Sequence, residues 1–251
     1  MKFFRMTICC FWVCSLAAAE TLFDGSQPEN WISKTPVTVS DGTAKTFLSH
    51  ASLRSAHFIP VVPGKKYTVT GEFRLTGKTP PMVYFGVIPY TADDREIPFA
   101  AIQPASPKIT VLVQAAAAGS RTVFLKNAAD WRFVPNARLA FNAKTDKGDL
   151  PNLDLSPGIQ VSEVIIHPDR SAEVPLKNPL RKGYPAGTSV RMHLSGNSFI
   201  YAGYGKKAGI WMTFTRTYTS FYRGCRKIKP AVSAASSKCP VEFRNVKVIM
   251  E

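Results

Sequence analysis

The chain has 251 residues and a formal charge of +15, which bounds it to one large domain or two small ones with a strong excess of base over acid. Hydrophobic residues make up 45%, enough for a packed core, and this excludes a disordered chain. No segment reaches the ~18 consecutive apolar residues of a membrane-crossing helix.

The N-terminus reads as a secretion signal. Lys2 and Arg5 form a positive region, Ile8 to Leu16 an apolar one, and Ala17-Ala18-Ala19 the small residues of a cleavage site, with the cut before Glu20. Export to a secreted, periplasmic or cell-surface location follows from it, and residues 20–251 are expected to form a single β-sandwich domain. Cys9, Cys10 and Cys14 leave with the signal, and Cys225 and Cys239 remain. Two cysteines in an oxidising compartment predict one disulfide, Cys225–Cys239, closing a short basic loop. The alternative is two buried thiols that never meet. Without Lys2 and Arg5, 30 basic and 17 acidic residues leave about +13. Such a charge suits an acidic polysaccharide, a nucleic acid or an anionic surface. Nucleic acid is set aside, because the chain carries no nucleic-acid-binding motif.

The rest of the chain shows short β-like runs separated by Pro, Gly, Asn and Asp, with no long 3.6-residue apolar period. Pro63-Gly64 turns the chain into Lys66–Leu75, in which Tyr67, Val69, Gly71, Phe73 and Leu75 share one face. Met82–Ile88 is more evenly apolar, as a central strand is. Strands are predicted at Ile109–Val113, Thr122–Leu125, Arg138–Phe141 and Ile159–Ile166. At Val190–Leu194 the alternation puts Val190, Met192 and Leu194 inward, with Arg191 and His193 outward. Phe199–Tyr201, Ile210–Thr217 and Val241–Met250 follow, the last with a phase shift at Asn245 that reads as a bulge. About a dozen strands at this spacing give an all-β sandwich or barrel, with an elaboration inserted at roughly 105–190.

Three stretches resemble the jelly-roll carbohydrate-binding modules of the galactose-binding-like superfamily, found beside secreted bacterial polysaccharide-degrading enzymes. They are Val62-Pro63-Gly64-Lys65-Lys66-Tyr67 running on to Arg74, Val83-Tyr84-Phe85-Gly86-Val87 with the loop Tyr90 to Ile97, and the ending Val241-Glu242-Phe243-Arg244-Asn245-Val246. The resemblance implies a jelly-roll fold of antiparallel strands and polysaccharide binding without catalysis. In such modules a structural calcium is often held by an acidic residue near the start and an Asp in the last strand. Here Asp24 could serve at the start, but Arg244 and Asn245 occupy the final motif, so the acidic ligand is missing there. No other cofactor and no metal site is expected.

A sugar site needs aromatic faces for the C–H surfaces of pyranose rings and polar groups for the hydroxyls. Tyr84, Tyr90, Tyr201, Tyr204 and Trp211 are the candidates, together with Lys206 for an acidic or sulfated group. The stretch Phe199 to Lys207 reads as a loop platform. Trp211 alternates with Thr213, Thr215 and Thr217, which places it on a polar face, and Trp131 is a further stacking candidate whose alternative role is to anchor the insertion. The densest acidic cluster, Asp93-Asp94-Arg95-Glu96, reads as a loop tip, and Asp146, Asp149 and Asp154 read as turn residues in preference to a weak cation site. The enzymatic alternative is a jelly-roll polysaccharide lyase or hydrolase, a lyase using Arg191, His193 and a nearby Tyr. The second alternative is a structural protein of the cell envelope or surface.

Overall fold

The computed structural model describes residues 19–33, 35–48, 53–77, 80–234 and 239–251. The signal-peptide reading therefore lies outside the described residues, apart from Ala19. The strands are β1 (Glu20–Asp24), β2 (Trp31–Ile32), β3 (Thr38–Ser40), β4 (Thr43–Leu48), β5 (Leu53–Ser55), β6 (Ile59–Pro60), β7 (Tyr67–Leu75) and β8 (Val83–Tyr90). A one-turn helix α1 (Phe99–Ile102) precedes β9 (Pro104–Val111), β10 (Thr122–Leu125), β11 (Arg138–Phe141), β12 (Ile165–Ile166), β13 (Ala172–Pro175) and β14 (Ser189–His193). The chain closes with β15 (Ile200–Gly205), β16 (Met212–Tyr218), β17 (Lys227–Ala234) and β18 (Cys239–Met250).

These strands make an antiparallel β-sandwich with an inserted second one. In the main sandwich one sheet has the order β16-β7-β18-β4-β3, with β1 on β18. The facing sheet has the order β15-β8-β17-β5-β2, with β6 on β17. The inner residues of β7 are the five expected from the period of two, and they are buried along with Val83, Phe85, Val87, Ile228, Val232 and Phe243. Phe73 joins the layers, its ring 4.8 Å from Phe85 and 5.4 Å from Phe214. Strands β9 to β14 form two further three-stranded sheets, β10-β13-β12 and β11-β14-β9. They enclose a core of their own, built on Leu112, Leu125, Trp131, Leu139, Phe141, Val174 and Met192.

Several local expectations are corrected. The segment Ile159–Ile166 is not one strand: Ile159 makes a single bridge to Leu176, a 3-10 turn spans Val161–Glu163, and only Ile165–Ile166 pair in a ladder. Strand β17 escapes sequence reading because Lys227, Lys229 and Pro230 break its pattern, yet it is central. Strand β6 pairs with Lys227 and Ile228, and β5 with Ala231 and Val232, so Pro230 faces the step between them. A proline is tolerated there, since its missing N–H falls where that side of the ladder is interrupted. The bulge at Asn245 is present: the register with β7 shifts between Arg244 and Lys247, and Asn245 has φ 52°.

The expected Cys225–Cys239 disulfide is not formed. Cys225 is a free, buried thiol in the turn before β17, and its Sγ donates to Lys227 O at 3.3 Å. Cys239 opens β18, beyond the other end of β17, and its side chain lies outside the described residues. The eight residues of β17 set the two cysteines about 23 Å apart along the strand, whereas a disulfide needs Cα atoms within ~7 Å.

Candidate functional site

Three of the predicted residues meet on the outer face of the sheet containing β8. In β8, Val83, Phe85 and Val87 point into the core, so Tyr84, Gly86 and Ile88 point out. The neighbouring stretch Phe199 to Lys207 is not a loop: Ile200–Gly205 is the edge strand β15. Residues three apart in a regular strand lie on opposite faces. Here the register shifts between Tyr201 and Gly203, and the extra residue restores both tyrosines to one side, Tyr201 opposite Gly86 and Tyr204 opposite Tyr84. The ring of Tyr84 stands 5.5 Å from Tyr201 and 6.1 Å from Tyr204. Tyr204 is 63% exposed, and Tyr84 and Tyr201 are half-buried.

Gly86 makes this arrangement sterically feasible. A Cβ on it would lie 2.0 Å from the Ile200 carbonyl oxygen and 2.9 Å from the Phe199 ring, so only glycine lets β15 approach this closely. Phe199 then packs beside Tyr201 at 5.1 Å. Polar partners border the tyrosines. Asn197 Nδ2 donates to the Tyr201 hydroxyl at 2.8 Å, and Ser233 sits opposite Tyr84 on β17. Lys206 is exposed in the turn just after β15.

The remaining candidates are placed elsewhere. Tyr90 is on the same sheet face but buried, its ring edge-on to Phe58 at 5.0 Å and its hydroxyl accepting from Arg54 at 3.2 Å. Trp211 stands on the opposite sheet of the sandwich. It is on the polar face, as its alternation implies, and Thr213, Thr215 and Thr217 there are exposed. The guanidinium groups of Arg74 and Arg244 lie 4.7 and 4.3 Å from the centre of its ring. Those arginines are tied in turn to Glu242 and Glu72, so the indole is engaged by cations and far from the tyrosines. Trp131 is 6% exposed and belongs to the core of the insertion.

Arg191 and His193 do not face solvent. They are 1% and 0% exposed. The outer side of β14 is covered by the loop 144–152 and by α1, so both faces of the strand are buried. Arg191 Nη2 meets Asp149 Oδ2 at 2.7 Å, its Nη1 donates to Lys144 O at 2.9 Å, and its Nε donates to His193 Nε2 at 2.9 Å. With Nε2 accepting, the proton sits on Nδ1, which donates to Ala100 O at 2.6 Å. Burial pushes the His193 pKa down, and the Arg191 charge adds to this. Burial opposes the Asp149 charge, but the Asn152 and Lys144 hydrogen bonds and Arg191 outweigh it and hold the carboxyl below its usual value. Both ring nitrogens of His193 are thus committed within the protein. The lyase arrangement assigned to this pair has no route to a substrate, and the cluster works instead as a clamp between the inserted sandwich and α1.

Sequence reading also missed a cleft of about 970 Å³ beside that clamp. Its walls come from the loop after β8, from β11, and from the loops at 149–158 and 178–184. Asp154 anchors it, accepting from the Tyr184 hydroxyl, from Asn142 Nδ2 at 3.1 Å and from Lys182 Nζ at 2.9 Å. Tyr184 is stacked on Phe141, with ring centres 3.7 Å apart. The signal was spread over four segments, and none has a motif of its own. Among the described residues no group of three His, Cys, Asp or Glu is placed to hold a metal ion. Among them, too, no helix is long and apolar enough to cross a membrane.

No protein-family model and no curated protein matches the chain. Among solved structures, one described as "CBM4 structure and function" aligns with a TM-score of 0.37 and 12% identity, over 92% of this chain and 95% of that one.

Proposed function

We propose that the protein binds polysaccharide without catalysis, on the tyrosine face of Tyr84, Tyr201 and Tyr204. The observation that carries this reading is the β15 bulge, which turns two tyrosines of an edge strand to the same exposed side, next to a third. Aromatic rings stack on the C–H faces of sugars, and the asparagine, serine and lysine around them suit hydroxyl and acidic groups. A solvent-facing aromatic cluster on a rigid sheet is pre-organised, so binding would order few side chains. The excess of base favours acidic or sulfated glycans by long-range attraction. The reading includes export of the mature chain, 20–251, and an accessory role beside polysaccharide-degrading enzymes.

The test is a glycan panel probed with residues 20–251 at physiological salt, followed by titration calorimetry on the best ligand. Tyr84→Ala and Tyr204→Ala are each expected to weaken binding about tenfold, with Trp211→Ala unchanged. Binding that is indifferent to both tyrosine variants, or no binding to any glycan, would overturn the assignment.

A further inference from the structure

We infer that the cleft beside the inserted sandwich is a second saccharide subsite, selective for a sugar unit bearing an anionic group. This rests on the polysaccharide-binding reading and adds a separate place for the anionic group of the glycan.

The charges in the cleft do not cancel. Its carboxylates are Glu96, Asp149 and Asp154, and each already has a cation: Arg54, Arg191 and Lys182 respectively. Arg95, Arg138 and Arg181 also line it, and none of the three makes an ion pair among the described residues. Arg95 lies within the field of the exposed Asp93, which leaves Arg138 and Arg181 as the least compensated charges. Arg138 also borders an adjoining hollow of about 470 Å³ that brings in Lys177. Guanidinium forks pair two N–H groups with the oxygens of a carboxylate or sulfate. A volume of about 970 Å³ is in the range of pockets that hold ligands of a few rings.

The walls are braced before any ligand arrives. The Arg191–Asp149 pair fixes the 144–152 loop, and Asn152 ties that loop to Phe141 O at 2.8 Å and, through its own N–H, to Ala101 O at 2.8 Å. The cleft also adjoins the tyrosine face. Glu96 on its rim accepts a hydrogen bond from Ser198, the residue before Phe199, which packs on Tyr201. One chain could therefore lie on the tyrosines and place an acidic unit among the arginines.

The experiment is calorimetry at physiological salt with three probes: a galacturonate tetramer, a sulfated carrageenan tetramer and neutral β-1,4-galactotetraose. At least one acidic probe is expected to bind about tenfold tighter than the neutral one, and which one does so separates carboxylate from sulfate recognition. Arg138→Gln/Arg181→Gln is expected to abolish that preference. Arg181→Gln alone, at an exposed site that folding tolerates, is expected to reduce it severalfold. Equal affinity for acidic and neutral probes, or a preference that survives in the double variant with an unchanged Tm, would overturn the subsite while leaving the tyrosine face standing. If no glycan binds in this experiment or on the panel, the polysaccharide reading falls and the subsite falls with it.

Discussion

At the scale of single residues, the most consequential contact is the one between Arg191 and Asp149, 2.7 Å apart with side chains 1% and 7% exposed. Removing one partner strands the other charge in a poorly solvated site. Arg191→Met is expected to destabilise the protein by about 3–5 kcal/mol, read by chemical denaturation. A loss below ~1 kcal/mol would mean that the clamp is replaceable by packing. His193 links the same cluster to pH. Its folded pKa is depressed, by burial first and by Arg191 second, with Asp149 and the Ala100 carbonyl opposing. The unfolded chain therefore binds the proton at higher pH than the fold does. The contribution is complete above about pH 6.5 and is lost as pH falls from there toward the folded pKa, at no more than ~1.4 kcal/mol per pH unit. The Tm is thus expected to drop between pH 7 and pH 5 more steeply in the parent than in His193→Gln. Parallel profiles would remove His193 from the acid response.

At the scale of elements, two bulges re-aim side chains that the period of two would send the wrong way. The shift in β15 gathers Tyr201 and Tyr204, and the shift in β18 keeps Val246 and Val248 in the core after Phe243. The first depends on the close approach of β15 to β8 at Gly86, where a Cβ would meet the Ile200 carbonyl. Gly86→Ala is expected to cost about 1–3 kcal/mol and to weaken glycan binding at the same time, because β15 must move outward. Normal binding with normal stability in this variant would show that β15 tolerates displacement. Much of this level was legible in residues. The alternation of Tyr67 to Leu75 marks β7 without help, and the break at Asn245 marks its bulge. The bulge in β15 was not legible, because Ala202-Gly203 within a tyrosine- and glycine-rich stretch looks the same as a loop. Strand β17 was hidden by Pro230, whose tolerance depends on where β5 ends and β6 begins.

At the scale of the whole molecule, the end-to-end run of β17 decides the chemistry of Cys225. Burial raises its thiol pKa to about 11. Such a thiol is a poor nucleophile at neutral pH. Dithiothreitol is expected to leave the Tm unchanged, and Ellman's reagent is expected to reach Cys225 only on unfolding. A Tm that falls on reduction would show a bridge.

What the sequence by itself determined is local: a β-rich chain with an inserted elaboration, the inner faces of its regular strands, the polar setting of Trp211, and the excess of base. Each is written in neighbouring residues, through period-two alternation, turn residues or composition. Only the tertiary structure decided which candidates meet. It joined Tyr84 to Tyr201 and Tyr204 across two strands and set Trp211 on the opposite sheet beneath two arginines. It also buried Arg191 and His193 under a loop that precedes Arg191 by 42 residues at Asp149 and 47 at Lys144, and assembled the cleft from distant segments. The reason is physical: alternation tells a side chain which face of its own strand it occupies, while sheet pairing and layer packing decide whether that face meets solvent, a second face or a neighbour's charge.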